Sequence, residues 1–214
     1  MRRALIIVAA ALILAILLGT YLFSSPTKPQ RVGGVGIAGE YVAVVNLLPN
    51  SKGALNIDVY ADFTCPACQR FESGVLPELR SKYGSRLVVR QHYVATPSGA
   101  TSAKILYDLA SDQGKGDVVA DALFKANLKH GNDGANLPIV RSIAKKYSLD
   151  QTFDAVREDG SGLARIRAEW KSFGGRIAFF PFIVIEDEVA VGSDKRNIMS
   201  VIESLLVRVD AKGT

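Results

Sequence analysis

From Ala4 to Phe23 the chain reads ALIIVAAALILAILLGTYLF, twenty residues without a charge. A helix buried in a soluble core normally keeps a polar stripe, and this run has none. Wound as a helix it spans about 30 Å, the thickness of the hydrocarbon layer of a bilayer. The competing reading is a cleaved signal peptide, whose apolar core runs about 7–15 residues and ends at a small-x-small site. The run here is longer. The residues after it, Leu22-Phe23-Ser24-Ser25-Pro26, offer no such site, and no Cys follows that could carry a lipid. An uncleaved transmembrane anchor over residues 1–23 is expected. Arg2 and Arg3 precede it, which places the amino terminus in the cytoplasm and the rest of a single-pass protein outside. Lys28 and Arg31 weaken that bias without reversing it.

The remainder reads as one domain behind a spacer. Ser24 to Gly39 (SSPTKPQRVGGVGIAG) has the composition of a flexible linker. Residues 40–214 carry strand patterns at Glu40–Leu48, Ala54–Ala61 and Arg86–Ala95, with a helix at Pro66–Lys82 interrupted at Pro77. In the second strand apolar Leu55, Ile57 and Val59 alternate with polar Asn56 and Asp58. A helical block follows, about residues 100–173, with apolar sets at Ile105, Leu106, Leu109 and Ala110, at Val118, Val119, Ala122 and Leu123, and at Ile139, Ile143 and Ala144 after a capping Asn136. A break falls near Gly160. Strands at Phe182–Ile185 and Val189–Val191 and an amphipathic helix at Lys195–Val207 close the chain. The order β-β-α-β, helical block, β-β-α predicts an α/β fold: a mixed sheet covered by helices, with a helical subdomain inserted between its halves.

Charge excludes little else. The chain has 26 basic and 21 acidic residues, net +5, and removing Arg2 and Arg3 leaves +3 over the rest. That is too weak for a nucleic-acid partner, and no nucleic-acid motif appears.

Chemistry concentrates at Cys65-Pro66-Ala67-Cys68, which holds the only two cysteines, after a strand and at a helix start. A structural zinc site needs about four ligands, and only His92 and His130 could be added, without metal-like spacing. No metal or organic cofactor is expected. Two inert packing cysteines are the other alternative, but Cys-Pro at a helix start suits reactivity better. The helix amino terminus stabilises a thiolate at Cys65. Pro66 fits the first helical position, where its missing N–H would have no partner. Cys68, one turn on, faces inward and can close a disulfide with Cys65, so the pair can exchange with protein thiols through a mixed disulfide. Outside the cytoplasm, oxidation is the expected direction.

The segment VYADFTCPACQRFE resembles the active-site stretch of DsbA-like thiol–disulfide oxidoreductases of the thioredoxin superfamily, especially the membrane-anchored actinobacterial forms. The likeness covers roughly Glu40 to Val207 and includes Phe180-Pro181 before the FIVI strand. It implies a thioredoxin-like fold with an inserted helical subdomain, preceded by one transmembrane helix. It also implies that Pro181 is a cis-proline whose loop, with Phe180, pairs with a substrate strand. Spacing alone leaves a trans-proline opening the strand equally open. The implied activity is oxidation of secreted protein thiols by a monomer that a membrane redox partner reoxidises. The alternatives are a reductase or isomerase on the same scaffold and a non-catalytic anchored scaffold or chaperone.

Three positions depart from the family pattern. Many relatives carry a buried acid six residues before the first cysteine, where this chain has Val59. Asp62 is the better of the two nearby acids to serve as proton acceptor, with turn capping or a solvated face as its alternative role. Ala67 stands where strongly oxidising relatives have His, which implies a milder oxidant. Bulky Phe180 replaces Thr or Val and would narrow the substrate groove. Elsewhere, His92 reads as a satisfied core or edge histidine, His130 as a helix-end cation, and Trp170 and Phe173 as core.

Overall fold

The computed structural model describes residues 37–43, 53–96, 99–173, 177, 179–187 and 189–212, all within the unit Val35–Thr214. The expected anchor, nearly all of the expected linker, and residues 44–48 of the first predicted strand lie outside the described residues. Among the described residues no helix is long and apolar enough to cross a membrane.

Among the described residues five strands form one mixed sheet. In chain order they are β1 (Val42–Ala43), β2 (Leu55–Ala61), β3 (Leu87–Tyr93), β4 (Phe182–Ile185) and β5 (Val189–Val191). The spatial order is β1-β5-β4-β2-β3. β2 and β3 are parallel, in register from Leu55↔Leu87 to Ala61↔Tyr93. The other pairs are antiparallel. A parallel pair needs a long crossover, which is supplied by α1 (Pro66–Arg70), a π-helical turn (Phe71–Val75) and α2 (Leu76–Tyr83). The predicted interruption of this helix falls before Pro77 rather than at it. Proline has no N–H and its ring crowds the carbonyl four residues back, so the ladder loosens into a π turn and α2 restarts with Pro77 in its first turn.

One face of the sheet buries Leu55, Ile57, Val59, Ile183 and Ile185 against Leu76 and Leu79 and against the last helix, α8. That helix runs Lys195–Lys212, five residues past the predicted end, because Leu206 and Val209 also join the core. The alternation read in β2 sets Asp58 on the face opposite Ile57 and Val59. β2 lies inside the sheet between β3 and β4, and Asp58 is 5% exposed. It takes a bidentate contact from Arg90 at 2.8 and 2.6 Å and pairs with His92 at 2.6 Å.

Between β3 and β4 lie α3 (Thr101–Asp112), α4 (Gly116–His130), α5 (Leu137–Lys146), α6 (Asp150–Glu158) and α7 (Ser161–Phe173). Asn136 is the N-cap of α5. The predicted break near Gly160 is a left-handed turn, φ +76°. Gly162, just beyond, lets α7 approach α3: a Cβ there would stand 2.7 Å from Ile105 Cγ1. The buried face of α4 is Val119, Ala120, Leu123 and Phe124, whereas Val118, expected on it, is 50% exposed. Trp170 is half-buried at the margin rather than in the core, and the side chain of Phe173 lies outside the described set.

Candidate functional site

Cys65 is itself the N-cap of α1. Its backbone is extended, and its sulfur accepts the Cys68 N–H at 3.2 Å, the role a Ser or Asp oxygen plays elsewhere. Pro66 takes the first helical position. The turn is fixed from behind by the Cys65 N–H, which donates to the Asp62 carbonyl at 3.1 Å. Cys65 is half-buried and Cys68 is fully buried, and both are free thiols.

The two sulfurs are therefore unequal. The Cys65 thiol is lowered to about 6, chiefly because the Cys68 thiol donates to its sulfur, with the Cys68 and Ala67 N–H groups assisting against burial and the Asp62 charge. Cys68 is pushed strongly up by giving its proton to that bond and by burial. A nucleophilic thiolate thus faces outward over a protonated inner thiol.

The Phe180–Pro181 peptide bond is cis, and the Phe180 carbonyl lies 3.7 Å from the Cys65 sulfur. The fold thus brings together two segments 115 residues apart. A cleft of about 620 Å³ beside the dithiol is lined by Thr64, Pro66, Thr101, Ser102, Asn136 and Leu137, so the helical insert forms one of its walls.

Asp62 is buried in the turn between β2 and α1. Its carboxylate accepts the Thr64 N–H at 2.7 Å and the Thr64 hydroxyl at 2.5 Å, which is a turn-capping arrangement. Val59 lies in the sheet core and offers no acid. His92 sits on the sheet, paired with Asp58 and stacked on Tyr60 at 4.7 Å. Burial alone would raise the Asp58 carboxyl, but hydrogen bonds from Arg90 and His92 hold it below the usual carboxylate value.

Three residues around the dithiol helix were missed in the sequence. Gln69 is buried beside Cys68, and its amide donates to the Phe124 carbonyl of α4 at 2.6 Å. Phe63 packs against Tyr93, Tyr107 and Phe124 at centroid distances of 4.8, 5.7 and 5.1 Å. Glu72 is raised by burial and accepts from Gln91 at 2.6 Å. For Phe63 a signal existed: an aromatic residue two positions before a reactive cysteine needs a pocket. Gln69 looks like any polar helix residue until the insert is placed over it, and Glu72 until β3 brings Gln91 to it.

A family model described as thioredoxin matches residues 48–202. A search of curated proteins finds no match. Among solved structures, the oxidoreductase DsbA1 of Neisseria meningitidis is 17% identical, with a TM-score of 0.56 over 82% of this chain and 94% of its own. DsbA of Pseudomonas aeruginosa is 15% identical, with a TM-score of 0.57 over 81% and 94%. The alpha-DsbA1 of Wolbachia pipientis is 18% identical, with a TM-score of 0.61 over 78% and 96%.

Proposed function

Because the chain belongs to the thioredoxin family and shares the fold of the DsbA oxidoreductases, we propose that it is a protein disulfide oxidoreductase that introduces disulfide bonds into secreted proteins. The uncharged Ala4–Phe23 run would anchor it, with residues 24–214 outside the cytoplasm.

The observation that carries this reading is the inequality of the two sulfurs. In the oxidised protein a substrate thiolate attacks Cys65, the more accessible sulfur. Cys68 leaves as a thiolate and takes up a proton, as its buried position favours. The substrate's second thiolate then attacks the substrate sulfur of the mixed disulfide. Cys65 departs readily, because a thiolate lowered to about 6 is a good leaving group. The substrate loses two electrons and the dithiol gains them. Phe180 and Pro181 form the loop on which a substrate strand lies, with the Phe180 carbonyl beside the attacked sulfur. A membrane redox partner restores the disulfide.

The test is a pair of variants. Cys65→Ser abolishes oxidation of a reduced protein substrate, whereas Cys68→Ser accumulates mixed disulfides at Cys65. Full activity in Cys65→Ser would replace this reading with that of an anchored scaffold. A reduction potential near the thioredoxin value of about −270 mV would make the protein a reductase.

A further inference from the structure

Three donors at the Cys65 sulfur favour its thiolate: the Cys68 thiol, the Cys68 N–H and the Ala67 N–H. Burial and the Phe180 carbonyl act against them, and so does one neighbouring charge. Asp62 is tied by its backbone to both cysteines, its carbonyl accepting the Cys65 N–H and its own N–H reaching the Cys68 sulfur. That double tether fixes where its side chain stands. The side chain is 6% exposed, and its carboxylate takes two hydrogen bonds from Thr64, both from neutral donors. A negative charge in so little water is weakly screened, and it opposes a thiolate on either sulfur.

We propose that Asp62 sets the redox poise of the dithiol: its carboxylate, pinned by Thr64 in the turn before the active-site helix, disfavours the reduced protein and keeps this oxidoreductase a milder oxidant than the same dithiol would otherwise be. The inference rests on the oxidoreductase reading. Reduction of the Cys65–Cys68 disulfide takes two electrons from a partner dithiol, which becomes a disulfide and gives up two protons. One proton goes to Cys68, the other goes to solvent, and Cys65 remains a thiolate. The new negative charge exists only in the reduced form, so a fixed carboxylate nearby penalises that form alone. Asp62 is thus an electrostatic counterweight to the helix amino terminus.

The test uses the full-length protein with Asp62→Asn, which keeps an acceptor for the Thr64 N–H, and Asp62→Ser, which keeps a shorter one. Both remove the charge. The measurements are the Cys65 titration midpoint, from thiolate ultraviolet absorbance, and the equilibrium constant with glutathione. In both variants the midpoint falls, and the equilibrium constant for oxidising glutathione rises about tenfold, which is ~30 mV for a two-electron couple. A merely structural role gives the opposite sign, because a loosened turn weakens the helix-terminal contacts and raises the midpoint. Unchanged midpoint and potential with slower release of mixed disulfides would assign Asp62 to proton transfer and overturn the proposal. Agreement between the variants excludes a packing effect peculiar to either. The oxidoreductase reading fails separately: it falls if unaltered Cys65 titrates like a free thiol or the protein does not exchange with glutathione.

Discussion

Among the described residues the two largest hydrophobic cores differ in kind. The sheet core is mostly aliphatic, with Leu55, Ile57, Val59, Ile183 and Ile185 meeting Ile198, Val201, Ile202 and Leu205 of α8. The insert core is built around rings, Phe63, Tyr93, Phe124 and Phe153, and Cys68 is one of its members. The dithiol therefore stands on the insert, although the sheet and its crossover define the fold. A thioredoxin-like sheet can hold a helix amino terminus at the end of β2 by itself. What the insert adds is a roof over the inner sulfur, which keeps Cys68 dry and protonated while Cys65 stays half-exposed.

The largest expected effect comes from removing a ring from the insert core. Phe63→Ala should lower stability by about 3–5 kcal/mol, the usual cost of such a truncation. It should also expose Cys68, so that alkylation of the inner sulfur accelerates beyond what global unfolding explains. Ile202→Ala in the sheet core should cost about 2–5 kcal/mol, with Cys68 labelling tracking global unfolding alone. Chemical denaturation and timed alkylation of both variants make the comparison. If Ile202→Ala unmasks Cys68 as Phe63→Ala does, the cores are one unit and the distinction fails.

A smaller effect should appear with pH. The fold holds Cys65 at about 6 against an ordinary thiol value of 9.0. Between those values the unfolded chain binds a proton that the folded chain does not, so stability rises with pH across the window. The contribution is complete above 9 and is lost as pH falls through 6. It belongs to the dithiol form only, because the disulfide has no thiol to titrate. The stability of the reduced protein minus that of the oxidised protein should therefore grow from pH 6 to pH 9. Half-exposure of Cys65 lets water screen the effect and keeps it below either core truncation. A flat difference in denaturation midpoints would mean the thiolate is not stabilised by the fold.

The sheet core was largely readable because its signals are local. Period-2 alternation marked β2, an apolar run marked β4, and a 3.6 period marked α8. The insert was legible as helices but not as a roof. Nothing in the spacing of Val118 and Val119 says which of the two meets α3, and Val118 is the exposed one. The burial of Asp58 was not legible for a related reason: its partners Arg90 and His92 lie more than thirty positions away. At the site, Cys65, Pro66 and Cys68 announced themselves by spacing, because their chemistry depends on one helical turn. Gln69 and Glu72 act through contacts with distant elements, which no local pattern encodes, and the place of Phe63 before Cys65 says only that it needs a pocket.

The smallest effect concerns the side-chain hydrogen bond from α1 to the insert. Gln69 donates to the Phe124 carbonyl at 2.6 Å, joining the residue after Cys68 to a helix fifty-five positions on. Gln69→Met keeps length and volume, so no cavity opens, and the flexible thioether fills the same space. What is lost is a single net hydrogen bond, about 0.5–1.5 kcal/mol. The Phe124 carbonyl lies inside α4, where it already serves the helical ladder, so it is not left without a partner. The loss should therefore fall at the low end of the cost for a buried polar contact and should be equal in the two redox forms. Its informative consequence is local: hydrogen exchange of α1 amides should quicken relative to α8, because the dithiol helix has lost a tie to its roof while the sheet core is untouched. If α1 and α8 exchange as before and stability does not change, the ring packing of Phe63 alone joins the dithiol to the insert, and Gln69 is only a buried passenger.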